Sequence, residues 1–301
     1  MYGSTNAKLY RDDLIQCPGI MKDFAGFIIM DNHLHLRLDG RLLEAIKLFT
    51  RLGGNAVNLV NLPDYGVPAA GYYKDIYGRT LKIADMIRAE FKIPVLVTLG
   101  PYPLDYFHFQ NHSMDGFESM REGLYLAEKY LENSRADAIG EIGRPHFEYS
   151  PDRSDGFNSI LDDAFKICHA HGAPAILHTE DLTPESYCSL QKSAKSAGID
   201  PVKVVKHHAL PSDLSFENSL TLSMLATRQN TREISRSRRR MFLETDYVDD
   251  PSSWKVIPPD SVPKRAIYIR ENMDNWEDLF SNIFRDTPVS VFGSEHFAGM
   301  I

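Results

Sequence analysis

Short apolar runs of strand length alternate with amphipathic stretches of helical period along most of this chain. That alternation restricts it to folds in which parallel strands are joined by helices. Residues 27–36 (FIIMDNHLHL) form the first run, and the following RLLEAIKLFTRLGG repeats its apolar residues at helical spacing before stopping at Gly53 and Gly54. Further runs lie at residues 55–63, 93–100, 138–143, 174–179 and 202–209, with helices expected near residues 74–91 and 115–133. Residues 220–226 (LTLSMLA) read as a seventh strand or equally as a helix, and residues 241–247 (MFLETDY) read as an eighth strand. Eight strands alternating with helices predict an α/β fold, a closed (β/α)8 TIM barrel. No linker, repeat or low-complexity tract divides the 301 residues. A single domain over residues 1–301 is therefore expected, its barrel core at about 26–290, with a short N-terminal extension and C-terminal helices, one of them over residues 275–284.

Apolar residues make up 43% of the chain, which excludes a disordered or fibrous protein, and the formal charge of -8 opposes indiscriminate binding to nucleic acid. Cys17, Cys168 and Cys188 are odd in number and lack metal-binding spacing, so neither a disulfide framework nor a cysteine zinc site is expected. The first residues carry no apolar signal segment, and no run is long and apolar enough to span a membrane. A cytoplasmic protein with no membrane contact and no obligate protein partner is the expectation.

Polar residues interrupt the apolar strands at one end only. His33 and His35 are two apart, so a strand presents both imidazoles on one face, where they can share a divalent ion. Asp31 is placed on that face by the same period, either to orient an imidazole or to reach the metal itself. Glu141 in AIGEIG, His178 in AILHTED, His207 or His208 in VVKHHA, and Asp246 in FLETDY all fall at C-terminal strand ends, where barrel enzymes assemble their active sites. Four imidazoles and two carboxylates are the donors expected for two divalent ions, with Glu141 bridging cations about 4 Å apart. Zinc suits these donors, as do manganese, magnesium and nickel. His207 is preferred to His208 because it shares a strand face with Val205; a shift of one residue would exchange them.

DNHLHL, AIGEIG, ILHTE, KHHA and LETD occur in an order and spacing that resembles the TatD family of metal-dependent hydrolases, within the amidohydrolase-type barrels. The resemblance covers roughly residues 27–247 and implies a two-metal site in a family that includes deoxyribonucleases. Residue by residue, it implies that His33, His35 and Asp246 surround one metal, that His178 and His207 hold the other, and that Glu141 touches both. Glu141 and Asp246 are the catalytic candidates: two metals activate a water, and Asp246 accepts its proton and passes it to the leaving group. The expected substrate is a phosphodiester, in a nucleic acid or a small molecule. The same barrel can serve amide, lactone or other carbonyl hydrolysis, or a metal-binding protein without catalysis.

The chain departs from the family pattern after Glu141, where EIGRPHFEY places Arg144 and His146 as candidate substrate-binding groups together with His208. After ETD, YVDDP replaces the usual small residue and proline, which puts inherited deoxyribonuclease activity in doubt. The basic run SRSRRR, with Arg236 and Arg238 to Arg240, precedes the eighth strand and is expected on the barrel face away from the metals, as a solvated helix end or partner contact. Tyr72, Tyr73, Tyr102, Tyr106, Phe107 and Phe109 fall in or near the loops after the second and third strands, either to stack bases or to pack those loops.

Overall fold

A computed structural model describes residues 24–250 and 257–301; the proposed N-terminal extension and Cys17 lie outside the described residues. In chain order the elements are β1 (Met30–His35), α1 (Leu43–Arg51), β2 (Ala56–Val60), α2 (Tyr72–Phe91), β3 (Val95–Leu99), α3 (Asp105–Asn111), α4 (Gly116–Glu132) and β4 (Ala138–Gly143). Then follow α5 (Ser154–His171), β5 (Ala175–His178), α6 (Pro184–Ala197), β6 (Val204–Lys206), β7 (Thr221–Leu225), α7 (Arg228–Ile234), β8 (Met241–Glu244), β9 (Tyr247–Val248), α8 (Ser261–Asn272), α9 (Trp276–Ser281) and α10 (Thr287–Phe292). The strands form one sheet in the order β8-β7-β6-β5-β4-β3-β2-β1-β9, and every pairing is parallel. This is a TIM-barrel-like α/β fold.

Residues 220–226, which suit either conformation in isolation, form β7, because parallel pairing with β6 and β8 satisfies their backbone. The expected eighth strand is divided. Thr245 and Asp246 interrupt it, Asp246 in a left-handed conformation at φ 48°, and the chain resumes as β9 against β1, with Leu34 opposite Tyr247. No helix among the described residues is long and apolar enough to cross a membrane.

Inside the sheet, Met30, Ala56, Leu96, Ala138, Ile176, Val205 and Phe242 contribute one side chain from each of seven strands to an apolar cluster. Val291 and Phe292 of α10, with Phe297, complete it at the N-terminal strand ends. Above it the interior turns polar. Asn58 Nδ2 donates to Asn32 O at 2.9 Å, Thr98 Oγ1 to Asn58 Oδ1 at 2.8 Å and Asn32 Nδ2 to Ser223 Oγ at 3.0 Å. Tyr72, Tyr73, Tyr106 and Phe109 are buried, so four of the six loop aromatics are occupied in packing. Asp105 organises them, accepting from Tyr72 OH at 3.1 Å and Tyr102 N at 3.0 Å.

The start of α1 has no side-chain cap of its own. Asp249, just after β9, supplies one across the fold by accepting from Arg41 N at 2.9 Å, Leu42 N at 2.8 Å and Tyr247 OH at 2.9 Å. Helix-start amides left without acceptors in a buried place are costly. Asp249→Ala is therefore expected to destabilise the protein by about 2–4 kcal/mol, read as a lower urea midpoint with unchanged slope.

Candidate metal centre

Period-two geometry alone does not deliver the site. Between Asp31 and Leu34, β1 advances three residues while β2 advances two, from Val57 to Leu59. That extra residue is a bulge, and it leaves Asn32 and His33 both on the interior side, where Asn32 reaches Ser223 and the His33 ring stacks on His207 at 3.8 Å between centroids. β4 repeats the device: Ile139 to Ile142 faces Ala175 to Leu177, and the irregularity re-aims Glu141 inward. The close approach requires a glycine beside it, since a Cβ on Gly140 would lie 2.7 Å from Ile176 O.

Glu141 stands in the middle of the result. Its Oε1 is 3.1 Å from His33 Nε2 and 3.3 Å from His35 Nε2; its Oε2 is 2.9 Å from His178 Nδ1 and 3.8 Å from His207 Nε2. Asp246 Oδ1 lies 3.6 Å from His35 Nε2. Ligand atoms of His33, Glu141 and His207, and again of His33, His35 and Asp246, cluster within 4.8 Å of one another. The structure thus brings all six residues proposed as ligands to one place, with His207 rather than His208 facing Glu141. His208 adopts φ 53°, its side chain is exposed, and its backbone N donates to Glu244 Oε1 at 2.8 Å.

Neighbouring groups fix two of the rings. Val60 O lies 3.1 Å from His35 Nδ1 and takes its proton, which leaves the Nε2 lone pair free toward Glu141 and Asp246. His207 Nδ1 is 2.9 Å from Glu244 Oε1, the buried carboxylate at the end of β8, whose Oε2 also accepts from Ser223 Oγ. Glu244 went unnoticed in the sequence, although a carboxylate two residues before Asp246 in an apolar strand was the signal. Glu244→Gln is expected to weaken metal binding by about 10- to 100-fold, measured by chelator competition; undiminished affinity would make Glu244 purely structural.

The field of the cluster favours positive charge. Burial disfavours an ionised Glu141, yet His33, His178 and His35 hold it well below the usual carboxylate range. Burial likewise opposes charge on His35 and His207, but Asp246 and Glu141 push His35 up to about 10, and Glu244 and Asp246 push His207 up to about 9. A divalent cation would answer the same demand, and its binding would displace those protons. The donors are imidazole nitrogens and carboxylate oxygens, a set that fits zinc, manganese, magnesium or nickel.

The profile of the family described as TatD related DNase matches residues 30–293, which includes every one of these side chains. The chain belongs to the TatD family. An uncharacterized protein of Methanocaldococcus jannaschii is 30% identical to this TatD-family chain over 226 residues, covering 74% of it and 80% of the relative. YjjV, a TatD homologue from Escherichia coli K12, superposes with a TM-score of 0.60 at 15% identity, covering 89% of this chain and 98% of the other. A phosphotriesterase homology protein from Escherichia coli, solved with phosphate in its active site, gives a TM-score of 0.57 at 14% identity, over 90% and 99% of the two chains. The structural likenesses establish the TIM-barrel-like fold, and the family match places the chain among the TatD-related proteins.

Around the TatD-family centre, Asp31 has other partners than the sequence suggested, and Arg144 and His146 have partners of their own. Asp31 precedes the β1 bulge and reaches no imidazole; it accepts from Thr245 N at 2.9 Å and Thr245 Oγ1 at 2.6 Å, tying β8 to β1, and burial pushes its carboxyl up to about 7. Arg144 holds Glu180 at two points, 3.1 Å through Nε and 2.7 Å through Nη2, so this edge of its guanidinium is already filled. His146 is exposed and lies 3.0 Å from His178 Nε2 through its Nδ1. Tyr102, previously grouped only with the loop aromatics, places its hydroxyl 3.3 Å from the same His178 nitrogen.

Proposed function

We propose that this chain is a two-metal phosphodiesterase of deoxyribonuclease type, acting on DNA or a small nucleotide. The observation that carries this reading is the position of Glu141, one oxygen toward His33 and His35 and the other toward His178 and His207. His33, His35 and Asp246 would hold one ion, His178 and His207 the other, and Glu141 both. Bound there, zinc or a similar cation supplies Lewis acidity, polarising the ester and lowering the pKa of water toward neutrality. Asp246, its side chain 32% exposed, is the carboxylate of the set that reaches solvent. It takes the proton of the attacking water and returns one to the leaving oxygen. Tyr102, His146 and exposed His208 line the approach to the centre and contact the substrate, while Arg144 shapes the loop through Glu180.

The same proposal includes a single domain whose sheet closes into a (β/α)8 barrel. Its support is that β8 pairs with β7 and, after Thr245 and Asp246 alone, β9 pairs with β1. The test of function is turnover of bis-p-nitrophenyl phosphate and single-stranded DNA by chelator-stripped protein, before and after reloading with zinc, manganese or magnesium. Activity that returns only with metal is expected. Full metal loading with no phosphodiester turnover, accompanied by hydrolysis of a lactone or amide, would overturn the nuclease reading.

A further inference from the structure

The basic run left aside by the metal centre lines a cavity of its own. Arg236 to Arg240, with residues of α9, of α10 and of the segment between them, line an open pocket of about 820 Å³, a volume in the range of small-ligand sites. Arg240 immediately precedes β8, so this cavity opens at the N-terminal strand ends, on the face opposite Glu141 and Asp246.

Its charges are unbalanced. Four guanidiniums line it against two carboxylates, Asp278 and Asp286. Asp286 is taken by Arg285 at 3.0 Å, outside the lining set. Arg236 lies 3.9 Å from Glu233, and Arg239 is occupied structurally by Phe216 O, Asn218 Oδ1 and Leu220 O. The guanidiniums of Arg238 and Arg240 have neither a hydrogen bond nor an ion pair among the described residues. Burial and the nearby charge of Arg240 both lower the affinity of Arg239 for its proton. Unpaired guanidiniums lining one pocket repel one another, and a multivalent anion relieves that repulsion.

The walls are held in place without those two side chains. Asn275 Nδ2 donates to Ser235 O at 3.0 Å and Asn282 Nδ2 to Arg239 O at 2.7 Å, which pins the arginine loop to the C-terminal helices. The Ser237 hydroxyl accepts from Arg239 N at 3.1 Å and keeps its own proton to donate. A pre-formed concave site with two free planar forks and a hydroxyl donor matches phosphate oxygens in geometry as well as charge. We propose that this cavity is a second binding site, separate from the metal centre, for a phosphate-bearing anion gripped by Arg238 and Arg240. The phosphate can belong to a free small molecule or to the backbone of a single-stranded nucleic acid.

The test is binding by the full, metal-loaded chain of two probes: inorganic phosphate by calorimetry, and a phosphorothioate-linked dodecathymidylate by anisotropy. Wild type is compared with Arg238→Gln/Arg240→Gln and with Arg238→Lys/Arg240→Lys. The Gln pair is expected to weaken binding at least tenfold and to flatten its salt dependence, with most of the affinity recovered in the Lys pair. Loss for phosphate identifies the free-anion source, loss for the oligonucleotide alone identifies the backbone, and unchanged binding of both probes overturns the site. Equal binding of poly-L-glutamate would also overturn it, because the geometry would then not select phosphate. Melting temperature and bound metal should be the same in all three proteins, so the result stands whatever the metal centre hydrolyses.

Discussion

Glu141→Ala should abolish turnover, with a loss on the order of 10⁴-fold, and should leave the protein unable to hold a full complement of metal. The size of the effect follows from what the two oxygens do. One lies by the two imidazoles of β1 and the other by imidazoles at the ends of β5 and β6, and of the surrounding carboxylates Asp246 approaches His35 from one side only. Without Glu141, two cations would face one another with no anion between them, at a separation where their repulsion is large. Glu141→Gln separates charge from shape: it keeps one oxygen and the volume but loses the negative charge. It should retain one ion tightly and still lose most activity. Metal analysis by atomic absorption beside the kinetics checks both variants, and a Glu141→Gln protein with two tight ions and near-normal rates would show that the bridge is dispensable.

The sequence made the strands readable because each is a short apolar run closed by polar residues, and burial on both faces keeps that signal strong. The site was readable to the degree that its residues sit at strand ends. His33, His35, Glu141, His178, His207 and Asp246 all do, and the fold gathers them. What the sequence concealed are events of one residue. The bulges in β1 and β4 leave no mark in the side-chain period, yet they turn His33 and Glu141 inward and leave Asp31 to brace Thr245. The break of the last strand at Asp246 is likewise a backbone turn, in a left-handed conformation adopted by a non-glycine residue. α3 was missed for another reason: DYFHFQN is short and rich in weak helix formers, and Asp105 anchors it through contacts with Tyr72 and Tyr102 that belong to the tertiary fold.

That turn at Asp246 is what makes its substitution informative. The backbone N of Asp246 donates to His33 O at 2.9 Å, so its position is fixed by the main chain independently of the carboxylate. Asp246→Asn should therefore leave the backbone in place, keep an oxygen near His35, and remove the capacity to accept a proton. If Asp246 is the base, kcat falls by about 10²- to 10⁴-fold while KM and metal content change little, because the lost interaction belongs to the transition state. If it serves only as a ligand, metal affinity falls and saturating metal restores kcat. Titrating activity against metal concentration distinguishes the two. Full rescue at saturation would remove Asp246 from the proton-transfer role and leave the reaction to a base supplied by another group at the mouth. His146 and His208, both exposed, would be the next residues to substitute.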